Sequence, residues 1–233
     1  MQIERLSNTV SNQTLLYIRI LFGLITLVWN VWRTAATGWV YFLFLTDWNW
    51  IMDTLFFFVG ASYTYAVINN GEQKESLRTA YIGLFAVCNT IGWIVSVGFW
   101  LLLNSIVFGA EASTFDRYSQ TWAHTFNLFL PLIDLFLSKT NMKFLQVGYP
   151  ICALLAYQAM VLICHGVYKT EWPYPFMTAV NGGEEGISWG PMLAMGAAVS
   201  IAAILFYSLV LMLIKLRNIF FPDKKEVSST VQV

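Results

Sequence analysis

Charged side chains are scarce in this sequence. They make up only 11% of its 233 residues, whereas a soluble domain has about 25%. The basic and acidic residues are equal in number, 13 of each, so no net charge favours binding to nucleic acid. Hydrophobic residues account for 58% of the chain. This composition excludes an ordinary soluble domain and is typical of a protein that crosses a membrane several times.

Several features that often mark a catalytic or metal site are also missing. The sequence has no HExxH or CxxC pattern and no phosphate-binding loop, so nothing favours a metalloprotease or a nucleotide-binding enzyme. Neither of the two histidines has a second ligand three or four residues away, and we expect no metal and no cofactor. The three cysteines lie in apolar runs, where cysteine usually behaves as a small hydrophobic residue.

Long apolar runs predict the fold. A helix needs about 20 mostly apolar residues to cross the roughly 30 Å hydrocarbon core of a bilayer. Six runs approach this length: residues 15–31, 41–68, 81–103, 121–137, 144–167 and 192–214. The fourth is the most polar, and Pro131 inside it should kink the helix because proline has no backbone N–H. We therefore predict an all-α polytopic membrane protein, a six-transmembrane-helix bundle.

The distribution of basic residues predicts the orientation of this bundle. On the side of the N-terminus lie nine Lys and Arg residues: Arg5, Lys74, Arg78, Lys139, Lys143, Lys215, Arg217, Lys224 and Lys225. The opposite side has three, namely Arg33, Arg117 and Lys169. Because cytoplasmic loops are enriched in basic residues, both termini are predicted to be cytoplasmic.

The predicted organisation is then a cytoplasmic N-terminus (1–14), a six-helix transmembrane domain (15–214) and a cytoplasmic tail (215–233). We expect a multi-pass protein of the plasma membrane or the endoplasmic reticulum. The tail ends in Val231-Gln232-Val233, an apolar carboxyl end of the kind that PDZ-type domains bind as an added strand.

Ionisable residues inside the predicted spans need partners. A charged aspartate at the centre of a bilayer costs roughly 2.5–3.5 kcal/mol, so such residues usually face the protein interior or water. We interpret Asp53 and Asp134 as partners for each other, for Arg19 or for water in the bundle interior. The same three residues also leave open a small-molecule or proton-coupled transporter.

Two further polar residues fall at a common depth. With a rise of about 1.5 Å per residue, Thr46 lies roughly 7 Å and His124 roughly 5 Å below the non-cytoplasmic face. A threonine hydroxyl becomes a nucleophile when a base takes its proton, and imidazole is the usual base near neutral pH. The pair therefore predicts nucleophilic catalysis. The alternative is a hydrogen bond across two helices in a non-catalytic protein for signalling, cell fusion or scaffolding.

Aromatic and polar residues around this depth are candidates for contacts with a substrate. They are Trp48, Trp50, Asn127, His165, Trp172 and Tyr174. Trp172 and Tyr174 fall at the predicted membrane interface, where an aromatic belt is common. The alternative is a lid over an outward-facing cavity.

Three short motifs carry a resemblance to a known family. They are Phe44-Leu45-Thr46, Trp122-Ala123-His124-Thr125-Phe126-Asn127 and Trp172-Pro173-Tyr174-Pro175-Phe176. With them, the chain resembles the family of the androgen-induced protein and the androgen-dependent regulator of tissue factor pathway inhibitor, which includes the rolling stone proteins. Leu45-Thr46-Asp47-Trp48 is closer to the rolling stone branch.

The resemblance implies an intramembrane hydrolase of fatty acid esters of hydroxy fatty acids, with the family's threonine at Thr46 and its histidine at His124. It implies a lipid substrate. An N–H of Asn127 or Trp48 would be the oxyanion donor in such an enzyme.

Overall fold

The computed structural model describes residues 5–70, 75–104, 113–168, 170–174, 177 and 189–222. These residues form six α-helices and contain no strand, so the all-α prediction is confirmed. The helices are α1 Asn12–Thr37, α2 Leu45–Asn70, α3 Glu75–Gly98, α4 Thr114–Leu137, α5 Gly148–Tyr168 and α6 Trp189–Phe220. The predicted PDZ-binding end, residues 231–233, lies outside the described residues.

The helices run further than the apolar stretches predicted. α1 continues to Thr37 and is followed by the 3₁₀-helix Gly38–Leu43, which leads into α2. Gly38 has a φ of 62°, a left-handed conformation that glycine adopts without steric cost and that often ends a helix. α3 extends through a π-helical turn at Phe99–Leu103, and a 3₁₀-turn at Phe144–Val147 precedes α5.

Five stretches in the described part of the chain are long and apolar enough to cross a membrane: Asn12–Leu43, Leu45–Asn69, Glu75–Leu103, Phe144–Tyr168 and Met192–Phe220. α4 is the remaining helix, and it is more polar because it carries His124, Asn127 and Asp134. All three side chains are buried against the rest of the bundle. The apolar helices confirm an integral membrane protein with several spans.

α3 lies at the centre of the bundle. In its most apolar stretch 67% of the residues are buried, whereas the corresponding value is 22% in α1, α5 and α6. α2 and α4 pack on α3, α1 packs on α2, and α5 and α6 also contact α3. The interface of α2, α3 and α4 is therefore the deepest part of the protein.

A glycine and a proline allow α3 and α4 to approach closely. Pro131 has no N–H to donate to the carbonyl of Asn127, four residues earlier. Gly92 of α3 lies against this carbonyl, and a Cβ atom at Gly92 would be only 3.0 Å from its oxygen. A larger residue at position 92 would push the backbones of α3 and α4 apart, so this close approach requires glycine.

Polar contacts join Ser7 and Asn8 to the ends of α4 and α6 at one end of the bundle. The Ser7 hydroxyl donates to the carbonyl of Leu137, and the side-chain amide of Asn8 donates to that of Phe221. Arg217 is only 3% exposed and donates to the carbonyls of Leu135 and Ser138. These carbonyls end α4 without helical partners, so a basic side chain is favourable there.

Candidate functional site

The structure brings Thr46 and His124 together. Thr46 is the second residue of α2, and its Oγ1 lies 3.4 Å from Nδ1 of His124 in α4. Both residues are buried, with exposed fractions of 8% and 7%. Phe99 stacks on the imidazole with ring centres 3.7 Å apart and an angle of 7° between the planes. Phe99 thus fixes the plane of the ring that faces the hydroxyl.

Hydrogen bonds from neighbouring residues hold the two helices in register. The Asn127 side chain donates to the carbonyl of Thr46 at 3.1 Å and accepts from the side chain of Asn49. On the other side of α4, Ser96 of α3 donates to the carbonyl of His124. These hydrogen bonds link α4 to α2 and to α3, and they therefore fix the backbone positions of Thr46 and His124.

Tyr174 follows α5 and precedes α6 in the sequence, and its side chain packs against the start of α2. Its hydroxyl accepts the backbone N–H of Leu45 at 2.9 Å and lies beside the side chains of Thr46 and Tyr157. Its ring meets Phe44 edge to face at 5.8 Å. Burial raises the pKa of Tyr174 to about 12, and the hydrogen bonds only partly offset this effect. The phenol is therefore neutral throughout the physiological pH range.

Other predicted contact residues have partners away from the Thr46 hydroxyl. Trp48 and Trp50 each have a single side-chain N–H, and these indole groups donate to the carbonyls of Phe42 and Ala123. Trp50 is completely buried. Its position between α2 and α4 makes it a spacer of the two helices. Since the Trp48 N–H is used for Phe42, it is not directed at Thr46 as an oxyanion donor would be.

His165 and Trp172 form a separate pair. The imidazole Nδ1 of His165 lies 2.6 Å from the carbonyl of Thr170, and its ring stacks on Trp172 with centres 3.8 Å apart. Both residues are buried, so Trp172 packs against the bundle rather than standing at a water interface. The contacts described for His165 thus place it in the loop packing and not beside His124.

Arg19 and Asp134 form the centre of a second polar region, near the opposite end of the bundle. Arg19 donates to Asp134 through Nε at 2.7 Å and through Nη2 at 3.0 Å, a bidentate contact. Its other donors reach the carbonyl of Gly60, the hydroxyl of Thr64 and the hydroxyl of Tyr81. We call these five residues the Arg19 cluster. Every guanidinium nitrogen in it has a partner.

Asp53 is not part of this cluster. It is completely buried, and neither carboxyl oxygen has a hydrogen-bond partner among the described residues. The Cys88 thiol lies beside the carboxyl group, although not in the geometry of a hydrogen bond. From the sequence, Asp53 and Asp134 were expected to share partners. In the structure Asp134 is paired with Arg19, whereas Asp53 lies beside the thiol of Cys88.

An ion pair beside Thr46 was not expected from the sequence. Asp47 is 1% exposed and turns away from His124 towards Arg33, with 3.5 Å between carboxylate oxygen and guanidinium nitrogen. Arg33 also interacts electrostatically with His124. From the sequence, Arg33 was predicted to lie in a loop, because the first span was expected to end at residue 31. The extension of α1 to Thr37 is what brings the guanidinium to the site.

The sequence model of the FAR-17a/AIG1-like protein family matches residues 13–218, including Thr46 and His124. The chain belongs to this family. The resemblance to the androgen-induced protein family is thereby confirmed over most of the chain. Neither a curated protein nor a solved structure gives a significant match.

This family member has an apolar groove on the lipid-facing side of α1 and α4. The groove has a volume of about 680 Å³, within the usual size of a small-molecule site. It is lined by Leu24, Ile25, Val28, Trp29, Trp32, Phe115, Tyr118, Ser119 and Trp122. Trp122 and His124 are two positions apart and so face opposite sides of α4. The groove lining does not include Thr46 or His124.

A G-x-S-x-G pattern occurs at residues 186–190 of this chain. In α/β-hydrolases such a pattern holds a nucleophilic serine in a sharp turn between a strand and a helix. Ser188 lies outside the described residues, and the described part of the chain contains no strand. The described residues before α6 include no strand that could lead into such a turn, and Ser188 serves below as a control.

Proposed function

We propose that this member of the FAR-17a/AIG1-like family is an intramembrane hydrolase of lipid esters, namely fatty acid esters of hydroxy fatty acids or similar compounds. Thr46 would be the nucleophile and His124 the base. The observation that supports the proposal best is the 3.4 Å contact between the hydroxyl and the imidazole inside an apolar bundle. This distance is somewhat longer than the roughly 2.6–3.2 Å of a proton transfer, which is common before substrate binds.

The proposed reaction has two stages. Nδ1 of His124 takes the hydroxyl proton while Oγ1 of Thr46 attacks the ester carbonyl carbon. The bond to the alcohol oxygen then breaks, and His124 returns the proton to that oxygen. A water molecule, deprotonated by the same imidazole, next attacks the acyl-threonine ester. This second stage releases the fatty acid and restores Thr46.

Two alternative functions assign other roles to the buried polar residues. In a non-catalytic protein for signalling, fusion or scaffolding, Thr46 and His124 would only pair across helices. A transporter would use Arg19, Asp53 and Asp134, but Arg19 and Asp134 are bound to each other by a bidentate contact. The hydrolase accounts best for a hydroxyl that faces an imidazole. The plasma membrane or the endoplasmic reticulum remains the proposed location, with membrane lipid as the source of substrate.

The proposal is tested by hydrolysis of a fatty acid ester of a hydroxy fatty acid by the purified protein in lipid nanodiscs. We expect Thr46→Ala to lower kcat by about 10³-fold or more, because loss of a nucleophile removes the covalent route. His124→Gln should lower kcat by about 10²–10⁴-fold, the usual contribution of a general base.

The matched control is Thr54→Ala. Thr54 is a second buried threonine of α2, and its hydroxyl donates to the carbonyl of Trp50. This variant should hydrolyse the ester at close to the wild-type rate. Hydrolysis by Thr46→Ala at the wild-type rate would remove Thr46 from the reaction and favour the non-catalytic alternative.

A further inference from the structure

The guanidinium of Arg33 uses few of its hydrogen-bond donors. Its described hydrogen bond runs from Nη2 to the carboxylate of Asp47 at 3.5 Å, which is longer than the roughly 2.7–2.9 Å typical of a bond between charged groups. Nε of Arg33 is buried and donates to no described residue. Because a guanidinium has five N–H donors, the described part of the chain leaves most of the hydrogen-bonding capacity of Arg33 unused.

Arg33 is also accessible, unlike the arginine of the Arg19 cluster. Its side chain is 21% exposed, whereas that of Arg19 is 1% exposed. All three guanidinium nitrogens of Arg19 have partners in the bundle. A buried polar atom without a partner is rare in proteins and usually has a specific reason, such as a role in a functional site. Arg33 thus has both the donors and the access that a ligand needs.

The guanidinium lies beside the proposed catalytic pair. Its acceptor Asp47 directly follows Thr46 in α2. Arg33 is also near enough to His124 to act on it electrostatically. An anionic group bound to Arg33 would therefore belong to a molecule that can also reach the Thr46 hydroxyl.

Apolar surface adjoins the guanidinium. Trp29 and Trp32 line the apolar groove on α1 and α4. Trp29 is one turn before Arg33 on the same face of α1, and Trp32 is the preceding residue. A lipid with an anionic group at Arg33 therefore finds apolar surface for its hydrocarbon chain along the same helix.

We infer that Arg33 determines the substrate class by binding a carboxylate, so that the preferred substrate is a lipid ester with a free carboxyl group in the same molecule. The inference rests on the proposed function. A planar guanidinium binds a carboxylate through two parallel N–H···O bonds, and it keeps its charge at every physiological pH. Neutral esters of glycerol lack a carboxylate, and they should be poorer substrates.

The other role open to Arg33 is structural. In that case the guanidinium would only neutralise Asp47, whose carboxylate is 1% exposed. The two roles make different predictions for Asp47→Asn. A structural pair is lost equally when either partner is changed, whereas a carboxylate site at Arg33 keeps its donors when Asp47 loses its charge.

The first test uses the full-length protein in nanodiscs of zwitterionic lipid, so that no anionic headgroup competes for Arg33. Release of the fatty acid is measured for an ester of a hydroxy fatty acid and for the same compound with its carboxyl group capped as a methyl ester. The wild type should have the lower KM for the acid. Arg33→Gln should raise this KM by about 10–100-fold, the usual effect of losing hydrogen bonds to a charged group, and leave the KM of the capped compound unchanged.

Three further variants serve as controls. Arg33→Lys keeps the charge without the planar fork, so it should retain part of the preference for the acid. Asp47→Asn should prefer the acid at least as strongly as the wild type. Arg117→Gln removes an exposed arginine near the start of α4 and should leave the preference unchanged.

A second measurement does not depend on hydrolysis. Ether analogues of the two compounds cannot be cleaved, and their equilibrium binding to the protein in nanodiscs is measured directly. Arg33→Gln should weaken binding of the ether acid by the same factor as its KM effect and leave binding of the capped ether unchanged. If Arg33→Gln unfolds, Arg33→Gln/Asp47→Asn takes its place, because it leaves no unpaired charge, and it should lose the preference as well.

Equal KM values for the acid and the capped compound in the wild type would overturn the inference and leave the proposed function intact. Equal losses of acid binding in Arg33→Gln and Asp47→Asn would do the same, because they would show a structural pair. A wild-type protein that hydrolyses neither compound would overturn the proposed function and the inference together.

Discussion

The two polar regions of this membrane protein are built in opposite ways. In the Arg19 cluster a buried guanidinium has a partner at every nitrogen and a bidentate carboxylate at 2.7 and 3.0 Å. Around Thr46 the central contact is a single one of 3.4 Å, and the neighbouring Arg33–Asp47 pair is held at 3.5 Å. One region is saturated with short contacts. The other centres on a longer contact between a hydroxyl and an imidazole, which are groups that can exchange a proton.

This difference indicates that the two regions have different roles, one in stability and the other in chemistry. A buried charge is tolerated when its hydrogen bonds are complete, and such a network then fixes the positions of the helices that contribute to it. A reactive group must instead have an atom that is not fully committed to the protein. We therefore expect changes in the Arg19 cluster to affect stability and changes at Thr46 to affect chemistry.

The largest effect on stability should come from Arg19→Met. The change leaves Asp134 buried and unpaired, which typically costs about 3–5 kcal/mol. The free energy of unfolding in detergent micelles measures this cost. Arg78→Met is the control, because Arg78 forms an exposed pair with Glu75 at 3.3 Å and should contribute about 0.5 kcal/mol or less. Equal effects of the two changes would mean that the cluster is not a stabilising element.

Gly92→Ala should have the next largest effect. Its Cβ would meet the carbonyl oxygen of Asn127 at 3.0 Å, and backbone atoms cannot move aside easily. We expect a loss of about 1–3 kcal/mol on unfolding, the usual cost of overpacking. Gly98→Ala, in the same helix, has open space at its Cβ and should be neutral or slightly stabilising. Similar results for both glycines would contradict the close approach of α3 and α4.

A smaller effect is expected from Asp53→Asn. Neither oxygen of Asp53 has a hydrogen-bond partner among the described residues, so the amide replaces no described contact. The change in unfolding free energy should be about 1 kcal/mol or less, while Asp134→Asn should cost clearly more because it weakens the bidentate contact with Arg19. A large loss from Asp53→Asn, or a loss of substrate flux, would instead support a transport role for this residue.

The smallest effect on stability should come from Thr46→Ser and Thr46→Ala. Hydrogen bonds between membrane helices average about 0.6 kcal/mol, so removing this contact should cost about 1 kcal/mol or less. The two variants should therefore unfold alike but differ widely in hydrolysis, since only serine keeps a hydroxyl. Thermal unfolding and ester hydrolysis of the same preparations provide the comparison. A loss of several kcal/mol in Thr46→Ala would make the contact primarily structural.

Much of the fold could be predicted from the sequence because membrane helices follow a simple rule. Runs of apolar residues give the number of helices, and the rise per residue gives the depth of each side chain. This was enough to place Thr46 and His124 at one level. It was also enough to predict that Asp47 faces away from them, since adjacent positions differ by about 100° around a helix.

Side-chain partners could not be predicted in the same way. Depth does not say which helix lies next to which, so Arg19, Asp53 and Asp134 remained a group of three until packing separated Asp53 from the others. The role of Arg33 was missed because polar residues after Val31 suggested a loop. The contact of Tyr174 with Leu45 depends on the path of the chain between α5 and α6, which apolar periodicity does not determine.

The most direct test of the account identifies the residue that reacts. The full-length protein in detergent micelles is treated with a fluorophosphonate, digested, and mapped by mass spectrometry for the modified side chain. We predict a phosphonyl adduct on Thr46 that disappears in Thr46→Ala and persists in Ser188→Ala. An adduct on Ser188, or one that persists in Thr46→Ala, would contradict the assignment of Thr46 as the nucleophile.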